Sequence, residues 1–115
     1  MQALDIGLIL AHGTGTKAND AMEAAIFTQH YPLSAVTAVK ATTGHLMAAA
    51  GAIGAAAACL ALRHQTIPPT PVTEGEFEFD FDLVRVARKA KLTHAQNNAF
   101  GFGGNNGIAI FRATA

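Results

Sequence analysis

The chain has 115 residues, half of them apolar, with eight Lys and Arg against eight Asp and Glu. That length suits one small domain, and a neutral balance gives no electrostatic reason to expect nucleic acid or an anionic membrane as partner. One cysteine excludes an internal disulfide and a cysteine-based zinc cluster, and no secretory signal pattern opens the chain.

In chain order, Leu4 to Ala11 is apolar almost throughout and reads as a strand covered on both faces, ending at His12. Asn19 or Asp20 caps a helix running to about His30, with Glu23 completing a capping box on Asp20. Tyr31-Pro32 stops it. Ala35 to Val39 is the next strand and delivers Lys40, a turn follows at Thr43-Gly44, and Leu46 to Leu62 is a second helix.

That second helix is built of Ala and Gly, too small-sided for a membrane span at a length near the lower limit, and a buried helix fits better. Gly51 and Gly54 each cost about 1 kcal/mol relative to Ala. Backbones approaching on all sides would offset that cost, so the helix is expected between two layers, with Cys59 a buried small residue. Pro68, Pro69 and Pro71 mark an irregular connection. Phe77, Phe79 and Phe81 alternate with acids as in an edge strand or extended arm. Arg85 to Lys91 reads as a solvated basic face, with an acidic-partner dock as the lesser reading. Leu92 to Phe100 and Gly107 to Phe111 are two strands joined by a glycine loop, giving the order β-α-β-α-β-β and an α/β class.

Three glycine-flanked patches carry the chemistry: Ala11 to Thr16, Lys40 to His45 and Asn98 to Asn105. Glycines beside His12 let another group approach its ring, and Thr14 and Thr16 offer hydroxyls to an amide-bearing ligand. His45 opens the alanine helix, where the positive helix end disfavours an imidazolium; a neutral imidazole can donate to a carbonyl oxygen on which charge develops. Lys40 orders that histidine or a nearby carboxylate, or is a surface lysine. Gly101, Gly103 and Gly104 permit backbone geometries that aim N–H groups inward. Gly13 to Ala18 has the form of a dinucleotide loop, but no acid occurs from 24 to 73 to hold a ribose. The five histidines show no metal-ligand spacing. Cys59 near a helix C-terminus is a poor nucleophile, since the helix dipole there disfavours a thiolate.

Taken in order, these patches resemble the C-terminal part of a β-ketoacyl-acyl-carrier-protein synthase of the His–His condensing type, from the strand before His12 through Arg112. The resemblance implies an incomplete thiolase-like half, a mixed sheet packed by helices, with the N-terminal half and its nucleophilic cysteine outside this chain. It implies a cytoplasmic acyltransferase of fatty-acid or type II polyketide-like synthesis. The chain itself would bind no cofactor, because its substrates ride on the phosphopantetheine of acyl carrier protein. By residue-level match, His12 and His45 hydrogen-bond the malonyl thioester oxygen, and Lys40 supports the second histidine. Thr14 and Thr16 hold the pantetheine arm. The Phe102 N–H joins the oxyanion hole while its ring gates the acyl pocket, and Asp20 and Glu23 stand behind the site. Relatives generally carry a glutamate where this chain has Gly54, which leaves Glu23 as the expected partner of Lys40. A synthase partner completing a homo- or heterodimer is expected, and the isolated chain should not condense. The alternative is a non-catalytic, chain-length-factor-like partner subunit, which needs neither histidine.

Overall fold

The computed structural model describes residues 1–72 and 79–114. Strand β1 (Leu8–Leu10) lies at the centre of a five-stranded sheet of order β4-β2-β1-β6-β7, where β2 is Ala35–Thr37, β4 Asp82–Leu83, β6 His94–Gly101 and β7 Asn105–Arg112. Pairings from β4 through β6 are parallel, and β7 returns antiparallel to β6. Helices α1 (Lys17–His30), α2 (Lys40–Thr43) and α3 (Ala50–His64) connect them, and β3 (Thr66–Ile67) pairs with β5 (Arg88–Lys89) as a separate ribbon.

The apolar run of the first strand divides its side chains between two cores because alternate residues point to opposite faces. Leu8 and Leu10 pack with Ala58, Ala61 and Leu62 of α3. Ile9 and Ala11 pack with Phe27 of α1 and Val36. Helices therefore cover both faces of the central strands, the α/β arrangement that the sequence implies.

Several boundaries differ from the sequence expectations. The first strand is shorter, because Ala3–Asp5 forms a 3-10 turn before it. Helix α1 begins at Lys17 with Thr16 at its N-cap and no side-chain cap bond, so the capping box on Asp20 is absent; the Glu23 carboxylate turns inward instead. Lys40 opens a short helix rather than ending a strand. The alanine segment begins as a 3-10 turn at Met47–Ala49. Its Gly54, Ala58, Ala61 and Leu62 are buried, while Ala52, Ile53, Cys59 and Leu60 on the other side are exposed. The described residues thus supply one of the two layers expected around α3, and Cys59, expected to be buried, is exposed. By length and composition residues 47–64 would suffice to cross a membrane; here their buried face packs on β6.

The aromatic alternation expected as an edge strand lies partly outside the described residues, at Phe77 and Glu78. The edge strand itself starts just after it, at Asp82, and pairs with β2. The proline segment is irregular, as its composition requires, and is tied to β2: Thr37 Oγ1 donates to the Pro68 carbonyl at 2.7 Å, and the Ala38 N–H donates to Thr70 Oγ1 at 2.8 Å. The basic run is exposed at Arg85, Arg88, Lys89 and Lys91, with Arg88 paired to Asp82.

Candidate functional site

Because β1, β2 and β6 run parallel, their carboxyl ends share one edge of the sheet, and all three glycine-flanked patches leave from it. Open parallel sheets place their ligands at that edge. Adjacent exits crowd together there, which is why residue 13 is glycine: its φ is +47°, and a Cβ would sit 2.6 Å from that of Ala38.

His12 is buried, at 7% exposure, and its surroundings fix its chemistry. The Lys40 ammonium lies 3.3 Å from Nδ1 and donates to the His12 carbonyl at 2.5 Å. The Phe100 N–H donates to the same Nδ1 at 3.3 Å. Two donors converging on Nδ1 require a lone pair there, so the ring proton sits on Nε2. Burial, reinforced by the Lys40 charge and opposed by Glu23, holds the His12 pKa below the ordinary imidazole value. Burial likewise lowers Lys40, again opposed by Glu23.

Glu23 anchors the backbone of the same corner. Its carboxylate accepts the N–H groups of His12 at 2.9 Å and Gly13 at 2.8 Å, and the side-chain amides of Asn19 at 2.9 Å and Asn98 at 3.2 Å. Four donors compensate the burial of that charge.

His45 is exposed, and its ring stands 5.7 Å from that of His12 at 88°. Its Nδ1 accepts the Met47 N–H at 3.1 Å, which again leaves the proton on Nε2. The structure therefore unites two imidazoles from separate sheet-edge segments, each with Nδ1 accepting a backbone N–H and Nε2 left as the donor among the described residues.

Lys40 departs from expectation. It supports the first histidine, not the second, and no bond joins it to Glu23 among the described residues, whose carboxylate is already filled by N–H donors. The space a side chain at Gly54 would need is filled by Asn97, which a Cβ would overlap and whose amide donates to the Gly51 carbonyl at 3.0 Å.

Asp20 and Glu23 have different tasks. Asp20 accepts the Gly15 N–H at 3.3 Å and so shapes the threonine loop rather than the histidine. Thr14 and Thr16 join their hydroxyls at 2.9 Å. These threonines, with Lys40 and His45, line a cleft of about 570 Å³ that runs to Phe81 and Arg85. His12 does not line that cleft; its ring packs against Phe100 at 5.2 Å, so the cleft adjoins the histidine pair without containing it. Gly101 to Gly104 are exposed, and Phe102 is 97% exposed at the tip of the β6–β7 turn. Sequence reasoning missed Asn19, Asn98 and the Phe100 N–H. Its one available signal was the polar run Gln96-Asn97-Asn98 inside a strand, which a buried strand tolerates only when every amide has a partner.

Comparison with known proteins identifies the family. The model of the β-ketoacyl synthase C-terminal domain matches residues 1–74. A 3-oxoacyl-[acyl-carrier-protein] synthase 2 of Vibrio harveyi is 38% identical over 96% of this chain and 28% of its own length. The ishigamide ketosynthase/chain length factor superposes with a TM-score of 0.89 at 41% identity, covering 96% of this chain and 28% of that one. A type II polyketide ketosynthase solved with its acyl-carrier protein and a hexaketide gives 0.90 at 27% identity, covering all of this chain and 30% of that one. The chain thus spans under a third of the length of the relatives it matches. It belongs to the β-ketoacyl synthase family, as a C-terminal segment on the thiolase-like fold.

Proposed function

We propose that this chain supplies the decarboxylating half of a 3-oxoacyl-acyl-carrier-protein synthase site, in a cytoplasmic fatty-acid or type II polyketide-like pathway. The observation that carries the reading is the pair of Nε2–H imidazoles 5.7 Å apart, both with Nδ1 already occupied.

When the malonyl group loses carbon dioxide, the electron pair of the breaking C–C bond moves to the α-carbon and delocalises onto the thioester oxygen. Two neutral N–H donors aimed at that oxygen stabilise the enolate and give up no proton. The enolate carbon then attacks an acyl thioester, a new C–C bond forms, and the thiolate leaves. That thiol belongs to a cysteine outside this chain. Lys40 acts as a positioning residue for His12, holding its Nδ1 unprotonated. Thr14 and Thr16, at the cleft mouth, suit a pantetheine arm carried by acyl carrier protein. The Phe102 N–H serves the second oxyanion while its ring gates the acyl pocket. The chain needs no cofactor for this step. Exposed Met47, Leu60, Phe102 and Ile108 suit coverage by the remainder of a dimeric synthase. Both histidines favour this catalytic reading over a chain-length-factor-like subunit.

The test is a chimera in which this chain replaces the matching segment of a 3-oxoacyl-acyl-carrier-protein synthase 2. It should form 3-oxoacyl product, and His12→Ala or His45→Ala should each cut the rate by about 10²- to 10³-fold. A folded chimera whose rate ignores both substitutions would refute the reading. The isolated chain should form no product.

A further inference from the structure

Behind Glu23 runs a line of three side chains that the proposed reaction leaves unused. The Tyr31 hydroxyl donates to Gln96 Oε1 at 3.4 Å, Gln96 Nε2–H to Asn98 Oδ1 at 2.9 Å, and Asn98 Nδ2–H to Glu23 Oε1 at 3.2 Å. Gln96 and Asn98 are buried, and as alternate residues of β6 they share the sheet face turned towards α1. Asn97 between them points the other way, to Gly51 of α3.

The line has a direction. A carboxylate only accepts, so Asn98 must present its NH₂ to Glu23, which leaves its Oδ1 facing Gln96. Gln96 must then present its own NH₂ to Asn98, which turns its Oε1 to the tyrosine hydroxyl. Every dipole points the same way, and such chains reinforce one another in a low dielectric. An apolar residue at 96 would pack but would strand Asn98 Oδ1. The Asn98 amide would then be free to turn its oxygen against the carboxylate. Glu23 in turn grips the backbone N–H groups of both His12 and Gly13, so the line ends on the histidine that the reaction uses.

We propose that Gln96 and Asn98, oriented from Tyr31, are positioning residues that fix His12 through the Glu23 carboxylate. Their catalytic purpose rests on the reading of His12 given above, whereas the positioning itself is measurable without any reaction.

The experiment is NMR on isotope-labelled chain, reading the His12 ring nitrogens against pH and the His12 and Gly13 amide protons. The charged or titratable groups acting on His12 are Lys40 of α2, Glu23 and Asp20 of α1, and His45. Gln96→Met keeps the bulk and removes both bonds; Tyr31→Phe removes only the terminal donor. Ser34→Ala is the control, since it removes a buried side-chain bond to the Ile6 carbonyl and keeps the one link between Ser34 and the line, its backbone N–H to the Tyr31 carbonyl.

With Asn98 no longer oriented, Glu23 keeps its bonds to His12, Gly13 and Asn19 but is held less firmly on that side, and its charge raises His12 less. The His12 midpoint should fall by about 0.5 pH unit in Gln96→Met, and by less in Tyr31→Phe. Amide exchange at His12 and Gly13 should quicken relative to Leu8 and Leu10. Ser34→Ala should leave the midpoint in place. An unchanged midpoint in Gln96→Met, or an equal shift in Ser34→Ala, would overturn the proposal. If Gln96→Met does not fold, Tyr31→Phe decides by the same criterion. A chimera inactive from the outset sinks the functional reading and leaves this measurement intact.

Discussion

The two histidines of the site stand in contrasting parts of the molecule. His12 leaves the central strand with its ring, carbonyl and N–H all engaged by Lys40, Phe100 and Glu23. His45 sits in a stretch, residues 41–49, that is exposed throughout, and one local bond from Met47 orients its ring. One ring is built into the sheet edge; the other stands on an exposed segment. Preorganisation within this chain is therefore uneven, and substitutions should report it.

The sharpest test of that contrast is Glu23→Ala. It strands the buried His12 N–H, the half-buried Gly13 N–H and the Asn98 amide, and an unmet buried donor costs about 1–3 kcal/mol. A loss of about 3 kcal/mol in urea unfolding is expected. A loss under about 1 kcal/mol would show that water replaces the carboxylate, and that the His12 corner is no more fixed than the His45 loop.

Gly54 gives a second, smaller probe, on the α3 side of β6. Alanine there displaces the Asn97 amide from the Gly51 carbonyl, while gaining about 1 kcal/mol of helix propensity. The net loss expected for Gly54→Ala is about 1 kcal/mol. Asn97→Ala should remove most of the added penalty of about 2 kcal/mol, so the double mutant should show coupling approaching about 2 kcal/mol by chemical denaturation. Additive effects would mean that the helix shifts rather than the asparagine.

These two probes also mark what the sequence could and could not disclose. The run from Leu4 to Ala11 announces a doubly covered strand, and the three glycine patches announce strand exits, because both signals are local. Lys40 and Glu23 were recognisable as site residues, yet their partners were not. Lys40 reaches His12 across 28 positions, and Asn98 reaches Glu23 across 75, distances over which no spacing rule operates. The outward side of α3 was misjudged for a related reason. An all-small helix states that something approaches closely, but not that the approaching layer belongs to the same described residues.

The acid side of the stability curve offers a gentler probe. Folded His12 has a pKa below its unfolded value of about 6.5, so between the two the unfolded chain binds more protons. Stability should therefore fall as pH drops through about 6.5 towards the folded value, and be constant in this respect above it. Unfolding free energies of the wild type and His12→Gln at pH 7.5 and 5.5 isolate the effect, which should be present only with the imidazole. Equal slopes would mean that His12 titrates as though solvated, contrary to its burial.

The smallest effect is expected at His45. His45→Ala removes a ring that is exposed and, among the described residues, hydrogen-bonded only to the Met47 N–H, itself open to water, so stability should change by no more than about 0.5 kcal/mol. Paired with a loss of rate of about 10²-fold or more in the chimera, that silence would separate function from folding at this position. A large stability loss would mean that the 41–49 segment is held by the His12 ring against it. The two histidines would then be one packed unit within this chain, and the unevenness between them would disappear.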